Sequence, residues 1–235
     1  MADAIISGAV NEYGVKVVAR DEKLLSAKNV ETILLDDGFD ISGKIILLAI
    51  KPYALELVSP KLKGRAKAVI SVLAGSSIDS IKKEIDSEFY VRAMPNLAAT
   101  YQKSMTTLCG DEEFKNEAIK IAQSFGTALW LSSEKELDIA TAVAGSGPAF
   151  LALIAESLAD GGVKEGLKRD DAYTLVRGLF EGFSPLLNDK HPAIIKDEVM
   201  SPGGTTAAGY SALEEGGTRD SMIKAITKAY ERAKG

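Results

Sequence analysis

Through its first half the chain alternates two kinds of apolar pattern. Short β-branched runs at 15–19, 45–50, 68–73 and 89–93, with a weaker one at 30–35, predict strands. Apolar positions recurring every three to four residues at 2–10, 53–62, 77–85 and 111–125 predict helices between and around them. The runs IILLAI and AVISVL are apolar at nearly every position, as strands are when helices cover both faces of a parallel sheet. The alternation predicts a doubly wound α/β domain, with further runs at 104–109 and 127–131 closing the sheet. The chain opens directly on a helical pattern, with no strand before it.

After Leu131 the character changes. Ser133 followed by Glu136 has capping-box spacing, and beyond it no segment reads as a strand. Helices are predicted at 135–144, 148–161, 169–187 and 221–234, with shorter ones around 193–199 and 207–215. Residues 1–132 thus form an α/β half and residues 133–235 an all-α half. The segment PAFLALIAESLADG at 148–161 is apolar around most of its circumference, so it must be covered on several sides. A homodimer built through the C-terminal half would cover it. The alternative is the central helix of a monomeric bundle.

Composition narrows the class. With 46% apolar and 26% charged residues the chain is globular, not disordered. Lys and Arg total 28 against 33 Asp and Glu, a net charge of −5 without a basic cluster, so neither nucleic acid nor an anionic membrane is an expected partner. The single Cys109 excludes an intramolecular disulfide, and with the single His191 it leaves no Cys/His metal cage. His191, beside Pro192, reads as a helix cap. The longest apolar run, 45–50, is far short of the roughly 20 residues that cross a bilayer. The first residues carry no basic region of a signal peptide, so a soluble, cytoplasmic protein is expected.

Candidate chemistry lies at the ends of elements, where α/β proteins place ligands. Ala49-Ile50-Lys51-Pro52 follows the most apolar strand, and Val72-Leu73-Ala74-Gly75-Ser76-Ser77 ends the next in small residues that let a flat ligand approach. Val91-Arg92-Ala93-Met94-Pro95-Asn96 ends the third. Each alone fits an ordinary turn, but three successive parallel strands bring their ends to one edge. Met200-Ser201-Pro202-Gly203-Gly204-Thr205-Thr206 leads into a helix whose unpaired N–H groups and positive dipole end suit a carboxylate; a tight interhelical turn is the alternative. Gly145-Ser146-Gly147-Pro148 reads as a helix start. Arg20, just past the 15–19 strand, stands where a dinucleotide fold meets the adenosine ribose, and an Arg there accommodates a 2′-phosphate. That favours NADP over NAD, although Asp21 mixes the local charge.

In order along the chain, AIKP, SVLAG, VRAMPN, AGSGPAF and KDEVMSPGGTTAAGYSALEEGG resemble the pyrroline-5-carboxylate reductases. The resemblance implies a Rossmann-like NAD(P)H domain followed by an all-α dimerisation domain that interlocks with a second subunit. It implies hydride transfer to the C=N carbon of 1-pyrroline-5-carboxylate, giving L-proline. Ser201, Gly203, Gly204, Thr205 and Thr206 would hold the substrate, with Thr206 as the donor at the ring nitrogen. Ala49, Lys51, Pro52, Ala74 and Asn96 would line the nicotinamide side, and Arg20 would meet the adenosine end. NADP is the implied cofactor and NAD is possible. Each site can combine groups from two subunits, and dimers can assemble further.

The start departs from this pattern. Family members open on a strand and a G-x-G-N-M turn, and Met1 aligns with that final Met, so the first strand and its glycine fingerprint are absent from the sequence. A truncated start with weakened cofactor binding is therefore expected. Two rival classes are a related imine or hydroxyacid reductase and a non-catalytic dimeric remnant. The 148–161 helix lacks the lysine that hydroxyacid relatives would be expected to place there, and the intact SPGGTT segment argues against a remnant.

Overall fold

The computed structural model describes residues 1–21 and 30–234. Contacts group them into two compact units, Met1–Ser146 with the C-terminal residues from Ala229, and Gly147–Lys228. The change of sequence character near 132 and this packing boundary do not coincide.

The first unit opens on helix α1, Ala2–Ala9, which buries Ala4, Ile5, Gly8 and Ala9. Strand β1, Lys16–Ala19, pairs in parallel with β2, Glu31–Leu34. Then follow β3, Phe39–Asp40, and β4, Ile45–Leu48. The helix predicted over 53–62 breaks into a 3-10 turn at Pro52–Ala54, a single turn α2 at Leu55–Val58, and a second 3-10 turn at Ser59–Lys61. Pro60 has no N–H to continue the ladder, which limits α2 to one turn. Strand β5, Leu62–Lys63, pairs with β3. Two-residue strands carry no periodicity, so neither was legible in the sequence. There follow β6, Ala66–Ser71; α3, Ile78–Glu84; β7, Ser87–Met94; β8, Ser104–Gly110; α4, Lys115–Gln123; β9, Gly126–Trp130; and α5, Glu134–Ala140.

The main sheet has the order β4-β6-β7-β8-β9. It is parallel except between β7 and β8, where Arg92 stands opposite Cys109 in antiparallel register. This corrects the uniformly parallel sheet expected from the strand runs. Parallel neighbours need a crossover of a dozen or more residues. The link from β7 to β8 is only a short 3-10 segment, Leu97–Tyr101, with its flanks, so the chain reverses. The near-continuous apolar strands have a direct cause. Ala68 and Ile70 face a cluster with Val91, Leu108, Phe114 and Ile121, whereas Val69 faces one with Leu48, Leu73, Ile81 and Ile85. Both faces of β6 are core. The β1–β2 pair forms its own sheet, and β4 is the outer strand of the main one.

In the second unit, α6 (Gly147–Lys164), α7 (Arg169–Asp189), α8 (Pro192–Val199), α9 (Thr205–Glu215) and α10 (Thr218–Ala233) follow as predicted, α10 running on into the residues grouped with the first unit. Ala159 of α6 packs with Ala172 and Val176 of α7. His191 caps α8, its Nδ1 accepting from Ala193 N at 3.2 Å. As expected, an α-helix starts at Gly147 with Pro148 in its first turn, but no loop separates it from α5. Five residues with π-type bonding, Thr141–Gly145, follow α5 and lead to α6, and Glu134–Lys164 runs as one helix. Of α6, only Ala159 is buried.

Candidate functional site

The C-terminal ends of β4 and β6 meet at a cavity of about 400 Å³. Four of the residues expected at the nicotinamide line it: Ala49, Lys51 and Pro52 past β4, and Ala74 past β6, with Ile50 and Val72 between them. Lys51 is held extended, as a residue before proline must be, and Pro52 opens the 3-10 turn. Gly75 takes a φ of +72°, which turns the chain away from the strand end into the cap of α3. Ser77 supplies that cap by accepting from Ser80 N at 3.1 Å. Met1 and Ala2 complete the lining, which is largely apolar and carries the Lys51 side chain, and so suits a flat aromatic ring attached to phosphates. The residues therefore fit a nicotinamide dinucleotide. Arg20 is exposed immediately after β1 and does not line this cavity, and neither does Asn96.

The third strand end does something else. Arg92 in β7 is almost wholly buried. Its Nη1 donates to Glu134 Oε1 at 2.9 Å and its Nη2 to Asp138 Oδ1 at 3.2 Å, both carboxylates lying one turn apart on α5. Glu134 Oε1 also accepts from Ile78 N at 2.9 Å, so one carboxylate joins β7, α5 and the start of α3. This clamp places α5 in the first unit although its sequence begins the helical half. Sequence reasoning missed Arg92 as an anchor. The available signal was a charged residue inside FYVRAM, a strand otherwise buried, where a partner carboxylate is obligatory. Cys109 opposite it is buried, and desolvation pushes its thiol up to about 11, so it stays neutral. Asn96 Oδ1 accepts from Ala98 N at 3.1 Å and caps the 3-10 segment, while Nδ2 donates to Ala144 O at 3.1 Å.

In the second unit, α8 ends at Val199 and the chain turns sharply into α9. Gly203 adopts a φ of +69°, open only to glycine without strain. Gly204 N donates to Ser201 O at 2.9 Å, closing the turn. That N–H is therefore spent inside the loop and is not one of the donors expected for a carboxylate. A Cβ on Gly204 would also come within 2.4 Å of Ser201 Oγ. The first intrahelical bond is Ala208 N to Gly204 O, so the N–H groups of Thr205, Thr206 and Ala207 precede the ladder. No side chain caps α9, and both threonines are exposed. Behind this end, Tyr210 Oη donates to Glu214 Oε1 at 2.7 Å, and Arg219 Nη2 donates to Tyr210 Oη at 2.7 Å. Arg219 also bonds Glu214, whose carboxyl is held below its ordinary range by the guanidinium and then by the tyrosine. Lys196 of α8 stands over the Tyr210 ring, 5.7 Å from its centroid. The turn between α8 and α9 is thus braced from α8 and α10.

Among the described residues no group of three or more His, Cys, Asp or Glu is placed to hold a metal ion. One helix, Glu134–Lys164, is long and apolar enough by length and composition to cross a membrane.

Known proteins agree with this layout. Residues 134–235 match the family model described as pyrroline-5-carboxylate reductase dimerisation. The pyrroline-5-carboxylate reductase of Helicobacter pylori strain J99 is 34% identical over 245 aligned residues, covering 99% of this chain and 95% of that protein. That of Synechocystis is 40% identical over 198 residues, 81% of this chain and 74% of the relative. A solved pyrroline-5-carboxylate reductase from Coxiella burnetii superposes with a TM-score of 0.84 at 28% identity, covering 99% of this chain and 93% of that one. With motifs in order from the sheet edge to the start of α9, and similarity over nearly the whole length, the chain belongs to the pyrroline-5-carboxylate reductase family.

Proposed function

We propose that the chain reduces 1-pyrroline-5-carboxylate to L-proline at the expense of NADPH, with NADH as the poorer donor. Family membership supports the reaction, and a Plasmodium falciparum member, superposing with a TM-score of 0.80 at 28% identity, has been solved with NADP bound. When bound, the reduced nicotinamide supplies the hydride for the C=N carbon. In the first unit Ala49, Pro52 and Ala74 present the flat wall for the ring, and Lys51 adds a cation at the rim. Arg20, exposed after β1, supports the preference for a 2′-phosphate.

The start of α9 carries the reading. Its N–H groups at Thr205 and Thr206 orient the substrate carboxylate, reinforced by the helix dipole. Thr206 Oγ1 donates a hydrogen bond at the ring nitrogen, and as the neighbouring carbon gains hydride that nitrogen takes one proton, which solvent supplies through the Thr206 hydroxyl. Such a site works by orientation and fixed dipoles, with no strong acid in it. Purified protein should therefore consume NADPH only when 1-pyrroline-5-carboxylate is present. Thr206→Val should lower kcat by about 10²-fold, and Thr206→Ser should keep most of it. Equal rates for Thr206→Val and the parent would remove Thr206 from the site.

The exposed apolar surface of α6 and α7 is met, in this reading, by a second copy of the chain and not by lipid, giving a soluble, cytoplasmic homodimer or an assembly of dimers. The dimerisation match over residues 134–235 supports association, since it covers both helices.

A further inference from the structure

Asn96 is held at both ends of its side chain. Its Oδ1 takes the N–H of Ala98 and its Nδ2 gives to the carbonyl of Ala144, each at 3.1 Å. A donor on one side and an acceptor on the other fix which end of the amide is oxygen. The backbone N–H of Asn96 donates to Ser104 Oγ at 3.1 Å, and that buried hydroxyl is bonded to Thr106 Oγ1 at 2.9 Å. The amide therefore stands on a rigid support at the end of β7.

Its acceptor has an unusual position. Ala144 lies in the π-bonded stretch Thr141–Gly145, where Ser146 N reaches back to Thr141 O at 3.0 Å. In a regular helix the carbonyl of Ala144 takes the N–H four residues on, but that residue is Pro148, which has none. Asn96 Nδ2 gives the Ala144 carbonyl a donor at the point where the regular four-residue spacing meets a proline. π-type segments of this kind are frequent at functional sites.

We propose that Asn96 is a positioning residue: its side-chain amide supplies the donor that Pro148 removes, and so pins the Thr141–Gly145 turn to the sheet edge on which the cavity opens. The VRAMPN motif then makes two attachments to the same helix, Arg92 to Glu134 and Asp138, and Asn96 to Ala144 further along it. The contact stands on the geometry alone. Its consequence for catalysis rests on the reductase activity proposed above.

The test is a double-mutant cycle of Asn96→Asp, Pro148→Ala and the pair, read by thermal unfolding and by steady-state kinetics. Asn96→Asp keeps the acceptor for Ala98 N and loses the donor to Ala144. Pro148→Ala restores a backbone N–H within reach of that carbonyl. Asn96→Asp is expected to lower Tm by about 2–4 °C, the worth of one half-buried hydrogen bond in a chain of this size. It should lower kcat several-fold with little change in the KM for NADPH, and the double variant should regain at least half of both losses. Rescue that fails in both readouts overturns the proposal, as does an Asn96→Asp effect confined to the KM for NADPH, the signature of a direct cofactor contact. If the parent protein shows no reductase activity, the activity reading falls while the melting temperatures still decide the tie.

Discussion

Arg92 brings a full charge into a strand buried on both faces, and its cost is offset by two carboxylates from one helix. Removing one partner of such a group leaves the others uncompensated, which is far worse than never having had them. Arg92→Ala should therefore cost about 3 kcal/mol, seen as a lower urea midpoint. Arg92→Lys should recover little, because one ammonium cannot fork to Glu134 and Asp138 together. Asn96 teaches a related lesson. The family resemblance implies a place for it beside the cofactor, and in the structure its amide bonds two backbone groups. Which polar atom faces which partner depends on groups that are distant along the chain, such as Ala144, and no local pattern reports them.

At the scale of elements, the strand and helix alternation was legible because burial on two faces writes itself as uninterrupted apolar runs. The antiparallel turn between β7 and β8 was not, since composition is the same in either direction and only connection length decides. A tight joint in the sheet lies between β8 and β9. There Gly126 has a φ of +154°, and a Cβ on it would come within 2.1 Å of Ser104 O and 2.4 Å of Ser104 N. Both obstacles are backbone, so nothing flexible can move aside. Gly126→Ala is expected to destabilise by more than about 2 kcal/mol, with an unchanged denaturant m-value if β9 remains paired. The cap of α5 was foreseen in one half: Ser133 Oγ accepts from Glu136 N at 3.2 Å, as the spacing predicts, but Glu136 Oε2 accepts from Ser132 N at 3.0 Å, one residue before the cap. Caps are local, and local chemistry is what a sequence displays.

At the scale of the molecule, the helical unit leaves long apolar side chains of α6 and α7 exposed. Leu153 of α6 is 64% exposed, and Leu175 and Leu179 of α7 are 61% and 55% exposed. Patches of this kind on a water-soluble domain mark association sites. Leu179→Asp is expected to shift sedimentation from the assembled form toward the monomer, and to lower Tm in a concentration-dependent manner. A sedimentation profile identical to the parent would place the interface elsewhere. The helix Glu134–Lys164 is the case where pattern alone misleads most easily, because an apolar circumference suits a dimer core, a bundle centre or a bilayer equally well.

The sequence by itself determined the class of the fold, the change from α/β to all-α near residue 132, the sheet-edge cavity residues and the glycine-rich approach to α9. These depend on periodicity, caps and turn chemistry, which act over a few residues and leave a readable spacing. Only the tertiary structure decided the antiparallel β7–β8 pairing, the separation of β1–β2 from the main sheet, and the attachment of α5 to β7 through Arg92. It also decided that Gly204 spends its N–H on Ser201 and Asn96 its amide on Ala144. Each of these depends on which groups meet across long stretches of chain, and burial makes a polar group take whatever partner the fold brings to it.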